Sequence, residues 1–146
     1  MTSVSARGRT VGFYRKERIQ TMNGNDMVLT VTDQDFAEQV LQASLPVIVD
    51  FTASWCPPCR ALAPVFEKLS QAYTGKLRFA RMDTDENLQT PVQVGIQGMP
   101  TLVLFANGQA VGRLLGPHPS RLQQGIDRLL AQIGGAAVSN EASLRK

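Results

Sequence analysis

Cys56 and Cys59 are the only thiols in a chain of 146 residues, and they stand two residues apart in the run Trp55-Cys56-Pro57-Pro58-Cys59. An apolar stretch ending in Phe51 precedes them, so both thiols are committed to one local site. A disulfide between them closes a very short loop and removes only ~2 kcal/mol of denatured-state entropy, against ~4.7 kcal/mol for a hundred-residue loop. That makes a poor structural staple. It suits thiol–disulfide exchange, in which one thiolate attacks a foreign disulfide and its neighbour displaces the product. A structural zinc site needs about four Cys or His ligands, and beyond the two cysteines the chain offers only His118. Covalent haem attachment needs a histidine directly after the second cysteine, where Arg60 stands instead. Two inert thiols acting as small hydrophobes are the remaining alternative, and the flanking residues argue against it.

The elements that must position this pair follow from the apolar pattern. Val28 to Val31 reads as a short strand, after which Thr32 or Asp33 can cap a helix whose apolar face holds Phe36, Val40 and Leu41. Pro46 to Ala53 is almost continuously apolar, as expected of a central strand covered on both faces, and Asp50 alone interrupts it. From Pro58 onward Leu62, Val65, Phe66, Leu69 and Tyr73 recur at helical spacing, with Gly75 placed to end the helix. Leu77 to Met82 is a third strand, and Asp85 to Val92 a short helix interrupted at Thr90-Pro91. Thr101 to Phe105 and Ala110 to Leu115 flank Asn107-Gly108, the strongest short signal for a hairpin. Leu122, Ile126, Leu129, Leu130 and Ile133 form the stripe of a last helix, with Gly134-Gly135 expected to stop it. The order β-α-β-α-β-α-β-β-α implies an α/β fold, a mixed sheet with helices on both faces.

Length and an apolar fraction of 43% allow one proper core and one domain. The net charge of +3 is wholly accounted for by residues 1–26, where Arg7, Arg9, Arg15, Lys16 and Arg18 outweigh Glu17 and Asp26. The basic pI therefore says little about the folded body. Residues 1–26 are expected to be a disordered arm rather than a nucleic-acid or membrane contact, 27–134 the folded domain and 135–146 a flexible tail. No apolar run approaches the ~18 to 20 residues of a membrane span, and Met1 to Asn25 lacks the apolar core of a secretory signal.

Four separated motifs, in this order and spacing, resemble thioredoxin: Val49-Asp50-Phe51, Trp55 to Cys59, Gly98-Met99-Pro100-Thr101, and Asn107-Gly108 followed by Gly116. The resemblance covers about Val28 to Ile133. It implies the thioredoxin fold, a central mixed β-sheet of about five strands flanked by about four helices, with a cis peptide before Pro100. It also implies dithiol–disulfide oxidoreductase activity with no bound cofactor and no metal.

Read beside that resemblance, Cys56 falls at a strand-to-helix junction, where helix-end N–H groups and the positive end of the helix dipole favour a thiolate. It is expected to be the nucleophile, and Cys59, one turn in and less exposed, the resolving thiol. If Cys56 caps the helix, its sulfur can accept from the second and third helical N–H groups. Pro58 has none, so Cys59 N–H is the useful donor, and glycine in place of Pro57 would remove no hydrogen bond to the thiolate. Asp50 is costly in a buried strand unless paired or protonated, and the resemblance gives it a proton-transfer role toward Cys59 with a raised pKa. Where the family often carries a lysine near this carboxylate, alignment puts Arg81, which can pair but cannot give up a proton. Thr52 stands where many members have an aromatic residue and should loosen packing under the site. The resemblance implies that Trp55 shapes the rim around the sulfurs. Met99 and Pro100 are expected to form the substrate groove, where the backbone can pair with an extended chain. The uncharged surface of Trp55, Pro57, Met99 and Gly116 suits many protein partners.

The expected function is a cytoplasmic protein-disulfide reductase that maintains cell redox homeostasis. Its partners are disulfide-containing proteins and a thioredoxin reductase as electron donor, and it acts as a monomer, without nucleic acid or membrane. Two alternatives stay open at this point: a more oxidising disulfide donor or isomerase in an exported compartment, and a binding subunit whose redox chemistry is incidental.

Overall fold

A computed structural model describes residues 27–145, with side chains through residue 134. The expectation for the basic arm falls on residues 1–26, outside the described residues. Strand β1 (Val28–Thr30) leads into α1 (Ala37–Leu41), a single π-helical turn, and then to β2 (Val47–Thr52) and α2 (Pro57–Ala72). Next come β3 (Arg78–Asp83), α3 (Gln89–Val94), β4 (Thr101–Ala106) and β5 (Gln109–Leu115). A 3₁₀ turn (Pro119–Arg121) introduces α4 (Leu122–Arg145). The strands lie in the order β1-β3-β2-β4-β5. β3 runs parallel to β1 and β2, while β4 is antiparallel to β2 and β5 to β4, so the sheet is mixed with β2 at its centre.

Alternation along the strands sends side chains to two separate cores. Ile48, Phe79, Leu102 and Leu104 pack with Leu62 and Phe66 of α2 and Leu122 and Ile126 of α4. Val47, Val49, Phe51, Ala80, Met82 and Val103 pack on the other face with Phe36 and Val40. This explains why the run of β2 is apolar at every position from Val47 to Phe51 but Asp50, since the strand is buried on both sides. It also fixes where the odd residue goes. Asp50 is two residues beyond Ile48 and Arg81 two beyond Phe79, so both project to the face covered by α2, side by side in the β2–β3 ladder.

Local chemistry ends the elements where expected in two places. Gly75, at φ +85°, reverses the chain after α2, and the N–H groups of Lys76 and Leu77 both donate to Tyr73 O. Asn107 and Gly108 take φ of +55° and +80°, the left-handed pair that a two-residue hairpin requires.

In three places the structure departs from the sequence reading. Thr32 and Asp33 do not cap α1, whose N-cap is Phe36 without a side-chain hydrogen bond. Thr32 closes a local turn with Asp35, and Asp33 instead reaches across to α3, where its carboxylate accepts from Gln89 N–H at 3.1 Å and Thr90 N–H at 2.9 Å. The N-cap of α3 is Leu88, which has no capping oxygen, so a carboxylate from another segment satisfies those donors. Thr90-Pro91 does not interrupt this helix but lies in its first turn, where proline's missing N–H costs nothing. Finally, α4 does not stop at Gly134-Gly135 but runs to Arg145. Each interior glycine costs about 1 kcal/mol relative to alanine, and the alanines that follow are strong helix formers, so the pair weakens the helix without ending it.

The cross-segment cap gives a test. Asp33→Ala should lower stability by about 1–2 kcal/mol, the usual cost of a lost N-cap, measured as a shift of the urea midpoint. Asp33→Asn, which retains an acceptor, should recover most of it.

Candidate active site

The site is assembled where β2 ends. A turn in which Cys56 N–H donates to Ala53 O at 3.2 Å brings the chain from Thr52 to the start of α2. Cys56 is the N-cap of that helix, in extended conformation (φ −93°, ψ 110°), and its Sγ accepts from Cys59 N–H at 3.3 Å. Pro57 and Pro58 fill the first two helical positions and contribute no N–H. Arg60 N–H bonds to Cys56 O at 3.1 Å. Every donor of the first turn is thus either absent or used, and the one aimed at a side chain is aimed at sulfur. The two cysteines are joined as a disulfide, with Cα atoms 5.2 Å apart. Cys59 is 1% exposed and Cys56 4%, which is the expected order by a narrow margin.

The loop before β4 forms the other wall. Met99-Pro100 is cis, and the Met99 carbonyl oxygen lies 3.8 Å from Cys56 Sγ. Gly116, at φ +54°, closes on this loop by donating its N–H to Pro100 O at 2.8 Å. Beside it runs a groove of about 550 Å³ whose walls include Gly98, Met99, Pro100, Arg113, Leu115 and Gly116. Trp55 is 61% exposed on the rim, and its indole N–H donates to Asp85 at 2.8 Å. Pro57 is exposed beside it.

On the α2 side, Asp50 is 1% exposed, and neither carboxylate oxygen has a hydrogen-bond partner. Burial pushes its pKa from 3.8 up to about 7, while the charge of Arg81 pulls the other way. The expected pairing of Arg81 with Asp50 is not made. The two residues face each other in the ladder, but the guanidinium continues outward to Glu67 of α2, at 2.8 Å, where both partners are partly exposed. A long side chain that can carry its charge to water avoids the cost of burying it. Thr52 and Cys59 line a cavity of about 460 Å³, open to solvent, with Ala63, Glu67 and Arg81.

Cys56, Cys59 and Met99 therefore pack together, Pro100 and Gly116 join beside them, Trp55, Pro57 and Pro58 flank Cys56 in the chain, and Asp50 lies buried further back in β2, beside Arg81, whose guanidinium does not bond its oxygens. The sequence reading missed Thr84, Asp85, Glu67, Arg113 and Leu115. Thr84 Oγ1 bonds to Thr52 O at 3.2 Å and to Met99 Sδ at 3.1 Å, linking the floor of the site to the groove. Its signal was available, since a strand parallel to β2 ends beside it and delivers the next residues to the site.

The thioredoxin family model matches residues 27–128. The chain belongs to the thioredoxin family. It is similar to thioredoxin from Synechocystis sp., at 48% identity over 61% of this chain and 83% of that protein. Thioredoxin 1 from Nostoc sp. is 44% identical over 68% of this chain and 94% of its own length. Thioredoxin from Alicyclobacillus acidocaldarius is 45% identical over 62% and 86%. Thioredoxins are disulfide oxidoreductases, and the Cys56–Cys59 pair at the start of α2 is the dithiol that this activity requires.

Asp50 predicts a pH dependence of stability. The unfolded carboxyl gives up its proton near 3.8, whereas the folded one holds it until about 7. The folded state therefore binds more protons in that window, and stability falls as pH rises through it. Asp50→Asn removes this loss. The variant should gain on the parent by a few kcal/mol between pH 4 and 8, read from denaturant unfolding at each pH, and a constant difference would contradict the burial argument.

Proposed function

We infer that the protein reduces disulfides of other proteins, with Cys56 as nucleophile, Cys59 as resolving thiol and Asp50 as proton carrier. The observation that carries this reading is the capping bond from Cys59 N–H to Cys56 Sγ. In the dithiol form the same N–H and the helix start stabilise negative charge on Cys56. The Cys56 thiolate attacks one sulfur of a substrate disulfide, a mixed disulfide forms, and the other substrate sulfur leaves as thiolate. Cys59 then passes its proton to the Asp50 carboxylate through water entering beside Cys59. The resulting thiolate attacks Cys56 Sγ, the bond to the substrate breaks, and the second substrate sulfur departs with the electron pair. Two electrons have moved to the substrate, and the Cys56–Cys59 disulfide remains for a thioredoxin reductase to reduce.

An extended substrate segment along Met99 can pair with the backbone next to the attacking sulfur, and Trp55, Pro57 and Gly116 provide a rim of little charge. No described helix is long and apolar enough to cross a membrane. With a dithiol that must be kept reduced to act, a reducing compartment such as the cytoplasm suits this chemistry, with maintenance of redox homeostasis as the role. The domain is taken to act as a monomer, bounded by residues 27–134.

The experiment is a trapping assay. Cys59→Ser should attack a protein disulfide and accumulate a mixed disulfide through Cys56, visible by mass, while Cys56→Ser should neither trap nor reduce insulin disulfides. Trapping by Cys56→Ser and not by Cys59→Ser would reverse the two roles.

A further inference from the structure

The face of the sheet under α2 presents a juxtaposition that the exchange reaction does not by itself account for. Asp50 and Arg81 are neighbours in the parallel β2–β3 register and project to the same face, so a carboxylate and a guanidinium that attract each other stand side by side. Yet both oxygens of Asp50 are buried without a partner. The guanidinium is drawn away by Glu67, whose Oε2 accepts from Arg81 Nη2 at 2.8 Å. Glu67 lies on the α2 stripe Cys59, Ala63, Glu67, at four-residue spacing, so one helix face carries both the resolving thiol and the group that restrains Arg81. All three of these α2 residues and Arg81 line the same cavity.

We propose that Glu67 is a positioning residue for the exchange reaction, holding Arg81 at the cavity wall so that the Asp50 carboxyl stays free to trade a proton with Cys59. The proposal rests on the reading of Asp50 as proton carrier. A guanidinium bonded to that carboxylate would fix it as an anion with its lone pairs engaged, and an anion so held is a poor acceptor for a thiol proton. Other ionisable groups around the cavity are Arg60 on α2 and Asp83 and Glu86 at and beyond the end of β3, while β4 contributes only Leu102 opposite Asp50. Of these cations, Arg81 alone shares a ladder position with Asp50.

The test follows the Asp50 carboxyl directly, by its ¹³C NMR shift against pH in the full-length protein, with Asp50→Asn identifying the resonance. Glu67→Gln keeps the side-chain shape and removes the charge. It should lower the Asp50 midpoint by about one pH unit or more, as Arg81 turns to the carboxylate, and move the pH profile of mixed-disulfide resolution with it. Loss of the Glu67 charge also acts through space, so the comparison is repeated with Arg81→Met. In that background Glu67→Gln should shift the midpoint by less than a third as much. A midpoint unmoved by Glu67→Gln, or moved equally with and without Arg81, overturns the holding role. Resolution by Asp50→Asn at the parent rate from pH 6 to 8 overturns instead the proton-carrier reading beneath it, so the two failures are told apart.

Discussion

The bond from Cys59 N–H to Cys56 Sγ is the constraint on which the rest of the site depends. It exists because Cys56 is not inside α2 but in front of it, in extended conformation, where a side chain can turn back to the first free helical donor. Two prolines ensure that no other donor of the first turn competes. The position of that helix start is set in turn by β2, the central strand, which is buried on both faces and cannot slide without exposing one core or the other. The sulfur is therefore placed by the most tightly determined segment of the fold, while the groove is placed by the loop into β4, the neighbour of β2 on the other side.

Asp50 is the costliest residue of the strand core. An unpaired carboxyl in a β-strand core is among the more expensive things a small domain can hold, and burial resolves the cost by favouring the protonated form into the neutral range. The magnitudes decide between two arrangements. Bonding to Arg81 would offset the desolvation of the carboxylate but would bring a second charge into the interior, and the ion pair that Glu67 offers at the edge tips the balance. Pairing Arg81 with Glu67 at a partly solvated edge avoids that burial and leaves Asp50 as a neutral acid that can become a base. In the proposed reaction, stability and proton transfer are thus set against each other at this position.

Much of this was legible in the sequence, because the decisive signals are local. The cysteine spacing, the apolar run broken by Asp50, Gly75 after a helical stripe and Asn107-Gly108 between strands each encode their own geometry within a few residues. The capping of Sγ by Cys59 N–H followed from helix geometry and the absence of an N–H on proline. What stayed hidden depends on partners distant in the chain. Asp33 reads as a cap for the helix that follows it, yet it serves one more than fifty residues away. Arg81 reads as able to pair with Asp50 from the resemblance to the family, and only the position of Glu67 on α2 shows where its charge goes. Gly134-Gly135 reads as the end of α4, yet it is a weak stop when good helix formers follow.

The most direct measurement is the thiolate absorbance of the reduced protein near 240 nm against pH. A hydrogen bond to a charged group contributes roughly 1.5–3 kcal/mol, and each pKa unit corresponds to about 1.4 kcal/mol. The Cys56 thiol should therefore titrate below a free cysteine. The low-pH step should vanish in Cys56→Ser and persist in Cys59→Ser. A first thiol midpoint at or above that of free cysteine, or a low-pH step that survives in Cys56→Ser, would contradict the assignment of Cys56 as the sulfur that the helix start activates.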